Sequence, residues 1–153
     1  MVANARKSKK RSAASSPSPP ERLVFFTDEN LGRQVVPQAL RNAGEQVIAF
    51  RERFAGGTKD PVWLREVGRN GWVLLTKDSR IRYRRNEMQA LLSAGVRSFV
   101  LVSRNLPGSE IAEIFVKALP AIKRMCARQR SPFIAHVHRD GKVVLMATAV
   151  GKK

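Results

Sequence analysis

The 153-residue chain carries 29 Lys and Arg against 12 Asp and Glu, a net charge of +17. This length suits one domain with a buried core, and so large a cationic surplus points to a polyanion, nucleic acid before an anionic membrane surface, since no long amphipathic basic helix stands out. The lone cysteine, Cys126, excludes an internal disulfide and a cysteine-based zinc site, and no apolar run reaches the length of a membrane span.

Residues 1–22 read as a disordered, basic, Ser/Pro-rich tail. Arg6 to Arg11 is a charge run, and Ser12 to Pro20 holds almost nothing to bury. With six basic residues and one acidic, this segment holds +5 of the charge, so residues 23–153 are basic without it. No apolar segment follows the basic run, so a signal peptide is not expected and the cytoplasm is the expected location.

Residues 23–27 predict a buried strand that stops abruptly in Asp28, Glu29 and Asn30. A helix is expected over 31–43, with Pro37 awkward inside it and Gly44 ending it. A second strand covers 46–50, and a loop with Gly56 and Gly57 leads to Asp60-Pro61, which reads as the cap and first position of another helix. Trp63, Leu64 and Val67 mark that helix's buried face. A third strand, 72–76, ends in Thr76, then Lys77 and Asp78. After an Arg-rich stretch, a helix is capped by Asn86-Glu87 and runs to about 94. A fourth strand covers 98–102. Ser109 opens a helix that Pro120 is expected to interrupt, with 122–128 continuing helically around Cys126, a small buried hydrophobe. Residues 133–138 and 142–147 form a hairpin over Arg139-Asp140-Gly141. Strands alternating with helices predict an α/β fold: a central, mostly parallel sheet flanked by helices, with a C-terminal β-hairpin.

The chemistry gathers where strands end. In an open α/β sheet, sites form in the crevice at the carboxyl ends of the strands. Asp28 and Asp78 each follow an apolar strand, so adjacent parallel strands would bring both to one rim. Each also has a plainer reading as a helix cap. Capping explains Asp60 completely, yet a cap at that crossover also lies at the rim. Glu87 suits a helix first turn. Glu29, Asn30 and Thr76 are candidates for supporting contacts. Clustered carboxylates repel unless they share protons or hold a cation. Oxygen ligands with few histidines favour Mg²⁺ or Mn²⁺. His136 and His138 alternate along one strand, where ordinary surface residues are the commoner outcome. Arg80, Arg82, Tyr83, Arg84 and Arg85 follow Asp78 directly and could hold phosphates and stack a base.

Together, Asp28-Glu29-Asn30 after the first strand, the Gly-rich loop leading to Asp60 with Trp63 beyond it, and Thr76-Lys77-Asp78 after the third strand resemble the PIN-domain superfamily, above all compact VapC-type toxins. The likeness spans about residues 23–102. It implies a PIN-like fold and a Mg²⁺- or Mn²⁺-dependent endoribonuclease. It also implies a toxin held inactive by a cognate antitoxin, in a family that often forms homodimers. Carried onto this chain, Asp28, Asp60 and Asp78 would be metal-binding acids. Ser79 and Arg80 stand where a fourth acid is usual, and Glu87 is the next carboxylate available. Two other readings fit less well. A response-regulator receiver would use Asp78 as phospho-acceptor, but it needs a lysine at the end of the last parallel strand, and 133–140 supplies none. A non-catalytic RNA-binding module would gain nothing from a rim of acids.

Overall fold

The structure is a computed structural model, described here for residues 22–77, 85–103, 105–149 and 151–152. The basic run before Arg22 and the positions of Asp78, Arg80, Arg82, Tyr83 and Arg84 lie outside the described residues. In chain order the elements are β1 (Val24–Thr27), a 3-10 turn (Glu29–Leu31), α1 (Val35–Asn42), β2 (Gln46–Ala49), α2 (Phe50–Arg53), α3 (Asp60–Asn70), β3 (Val73–Lys77), α4 (Arg85–Ser93), β4 (Arg97–Leu101), α5 (Gly108–Arg128), β5 (Phe133–Val137), β6 (Val143–Thr148) and β7 (Gly151–Lys152).

The strands form one sheet in the order β2-β1-β3-β4-β5-β6-β7. β1 to β5 pair in parallel, and β6 and β7 are antiparallel additions. This is the α/β, mostly parallel sheet with a C-terminal hairpin expected from the alternation of elements. Successive side chains on a strand face opposite ways, so each strand feeds two cores. Phe25, Val73, Leu75, Phe99 and Phe133 pack against α1 and α5 on one face. Phe26, Leu74, Val100 and Ile134 pack against α3 and α4 on the other.

The first three crossovers share one hand. The step from β1 to β2 carries α1 on one face, and the return steps to β3 and β4 carry α3 and α4 on the opposite face. The step from β4 to β5 continues in the same direction, yet α5 packs beside α1. That crossover therefore has the opposite hand to the other three, a rare arrangement. It places the longest helix on the face away from α3.

Several boundaries differ from the sequence expectation, each for a local reason. The helix expected from 31 begins at Val35. Leu31 closes the 3-10 turn instead, and Gly32 follows at φ +82°, a conformation that favours glycine. Pro37 thus falls in the first turn of α1, where a missing N–H costs nothing. Phe50 opens α2 rather than ending β2, and Glu52 accepts a hydrogen bond from the Ala49 N–H at 2.9 Å to close that turn. Pro120 does not interrupt α5, which runs unbroken to Arg128. Pro120 is exposed while Leu119 and Ile122 are buried, so packing holds the helix on both sides of the proline. Cys126 is buried, as its apolar context suggests.

One glycine marks a close approach of α3 to the end of α4. A Cβ built on Gly68 would lie 1.8 Å from the Ala94 carbonyl oxygen, a backbone atom that cannot swing aside. Gly68→Ala is expected to force the segments apart and destabilise the fold by about 1–3 kcal/mol. Denaturant unfolding of the variant against the parent checks this; an unchanged midpoint would contradict it.

Candidate active site

β1 and β3 are neighbours, and the strand order departs from them in both directions: β1 leads outward to β2, and β3 leads onward to β4. Their carboxyl ends therefore flank a topological switch point, where open α/β sheets place ligands. Asp28 sits there, one residue beyond β1. Its backbone N–H donates to the Leu75 carbonyl at 3.2 Å, extending the β1–β3 pairing past the end of the strand. The side chain is buried, at 8% exposure. One carboxylate oxygen, Oδ1, accepts from the Asn30 N–H at 2.9 Å, and the Thr76 hydroxyl donates to Oδ2. The cap reading and the site reading thus both apply, since Asp28 caps the 3-10 turn while lying at the rim.

Asp60 is near enough to Asp28 for their charges to interact. It is the first residue of α3, with Lys59 in the cap position, so the expectation that Asp60 itself is the cap is corrected. Its Oδ1 accepts a hydrogen bond from the Trp63 indole Nε1 at 3.0 Å. A helical i to i+3 spacing puts the two side chains on one face.

The electrostatics of the pair are informative. Burial pushes the Asp28 carboxyl up to about 7; the bonds from Thr76 and Asn30 oppose the rise, and the Asp60 carboxylate adds to it. A carboxyl this buried, with a second carboxylate close enough to add to the rise, favours a proton or a cation. The donor set consists of hard oxygens and suits Mg²⁺ or Mn²⁺ better than softer metals. Among the described residues no group of three or more His, Cys, Asp or Glu forms a metal cluster. The described part of the site is therefore this pair, with Thr76 on the strand that runs directly to Asp78 in sequence.

The other candidates are placed as follows. Glu29 is exposed and lies 3.9 Å from the Arg51 guanidinium. Asn30 contributes its backbone N–H to Asp28. Glu87 lies in the first turn of α4, and a crossover helix begins at the carboxyl rim of the sheet. Arg85 opens the same helix. His136 on β5 and His138, one residue beyond it, have ring centroids 6.4 Å apart, and they join no metal cluster among the described residues.

The contact that the sequence did not reveal is made by Trp63, which enters the family likeness only as a residue beyond Asp60. Its spacing marks it only as a buried helix position, whereas its indole N–H also reaches Asp60. Its ring stacks on Phe26, with centroids 5.7 Å apart and an interplanar angle of 24°. Trp72 stacks on Phe26 at 5.7 Å and 7°. Phe26 is two residues before Asp28, so one aromatic block underlies both carboxylates.

This arrangement can be compared with known proteins. A family model described as "PIN like domain" matches residues 23–103. The chain belongs to the PIN-like domain family. A relative from Mycobacterium tuberculosis (strain ATCC 25618 / H37Rv), named "Putative ribonuclease VapC45", is 33% identical over 118 residues, covering 74% of this chain and 85% of the relative. No solved structure matches the chain significantly. The PIN-like match takes in β1 to β4 and every acidic candidate, Asp28, Asp60, Asp78 and Glu87; it stops before α5 and the hairpin.

Proposed function

We propose that this PIN-like chain is a Mg²⁺- or Mn²⁺-dependent endoribonuclease and the toxin of a toxin–antitoxin pair. The observation that carries the reading is the buried Asp28 carboxyl beside Asp60 at the β1–β3 switch point. The relative's name supplies the substrate class, and the charge of +17 suits a polyanion.

Asp28, Asp60 and Asp78 would hold the cation, with Glu87 a further acid at the same rim. When bound, the metal would polarise a phosphoryl oxygen and make a nearby water more acidic. The chain's own groups prepare the site. Thr76 and the Asn30 N–H fix both oxygens of Asp28, and Trp63 fixes one oxygen of Asp60. Arg80, Arg82, Arg84 and Arg85 would grip RNA phosphates, and Tyr83 would stack a base. Hydrolysis adds water across the P–O3′ bond and leaves a 5′-phosphate and a 3′-hydroxyl. A cognate antitoxin would cover this rim in the resting cell, and the cytoplasm is the expected compartment.

The receiver reading is weaker. β5, Phe133–Val137, is the last parallel strand and carries no lysine. The reading is tested by incubating total RNA with purified chain and Mg²⁺, then examining the product ends. Fragments bearing 5′-phosphates are expected. Intact RNA that is nevertheless bound would favour a non-catalytic module.

A further inference from the structure

We infer that Trp63 is a positioning residue for the metal site, acting through Asp60 rather than serving only as core. The inference rests on the reading that Asp60 is a metal ligand. Trp63 does two things at once. Its indole N–H donates to Asp60 Oδ1 at 3.0 Å, and its ring lies 5.7 Å from Phe26, nearly parallel to it. Phe26 is in turn stacked against Trp72, itself covered by the Arg53 guanidinium at 5.2 Å. The block is rigid because Phe26 is fully buried and Phe50 and Phe54 close it edge-on. Asp60 is exposed and stands on the first turn of a helix, where a free carboxylate would sample several rotamers. The indole removes that freedom and ties one carboxylate to the strand that carries the other. A donor that orients a ligating carboxylate commonly contributes about 10–100-fold to metal affinity.

The test uses the full chain and Mg²⁺ alone. Trp63→Phe keeps a ring in the stack and removes the N–H. Calorimetric titration should show it binding Mg²⁺ at least about tenfold more weakly than the parent, with unfolding in chelator verifying that it is folded. Equal affinity in parent and variant would overturn the positioning role. No binding by the parent would instead overturn the metal reading on which this one rests. A second readout separates positioning from packing. The chain has two tryptophans, so Trp72→Phe leaves Trp63 as its one indole emitter. Its emission should change as Mg²⁺ is added, and Asp60→Asn in that background should abolish the change. Emission indifferent to Mg²⁺ in a chain that binds the ion would overturn the proposal, whatever Trp63→Phe does to stability.

Discussion

Asp28→Asn is expected to abolish RNA cleavage while making the metal-free protein more stable. The two effects share one cause. The Asp28 carboxyl, which would ionise near 3.8 in an unfolded chain, is held at about 7 by burial. Below about pH 3 both states hold the proton and no penalty arises. Between pH 4 and 7 the folded state keeps a proton that the unfolded state has released, so stability falls as pH rises. Above 7 the penalty is complete, at most ~4 kcal/mol for a shift of about three units. Asparagine is neutral at every pH. It can still accept from the Asn30 N–H and meet the Thr76 hydroxyl. At pH 8 in chelator, the variant should melt roughly 5–15 °C above the parent. At pH 3 the difference should vanish. A variant less stable at pH 8 would mean that Asp28 is a structural cap whose charge the fold needs.

The second large effect is on metal binding. Asp28 must lose its proton to serve as a ligand, so metal uptake displaces a proton wherever the carboxyl is neutral. Apparent Mg²⁺ affinity should rise with pH up to about 7 and level off above it. Between pH 8 and pH 6 it should fall about tenfold. Calorimetry in buffers of differing ionisation enthalpy should detect about one proton released per ion at pH 6 and almost none at pH 8. Affinity flat across this range would place the ion away from Asp28.

The sheet was legible because its strands are apolar runs with clean ends. The stop after Phe26-Thr27 and the step from Thr76 to Lys77 both mark the rim, and the order of elements implies their adjacency. Boundaries governed by a single turn were not legible. Gly32 delays α1, and one Glu52 side chain makes a helix of residues expected to be loop. Pro120 misleads because burial on both of its flanks holds the helix together despite the cost of an internal proline, and burial is a tertiary fact. The hand of the β4-to-β5 crossover has no signature in the sequence at all. The same holds at the site. Asp28 and Thr76 announce themselves at strand ends, but the hydrogen bond between Asp60 and Trp63 looks in sequence like an ordinary helix start followed by a buried ring.

RNA hydrolysis at the β1–β3 rim is expected to depend on the metal. The most direct measurement is cleavage of total RNA by the purified, antitoxin-free chain in Mg²⁺, Mn²⁺ and chelator, with Asp28→Asn and Asp78→Asn alongside. Cutting is expected with either ion, none in chelator, and none by either variant. Cutting that persists in chelator or in both variants would contradict it.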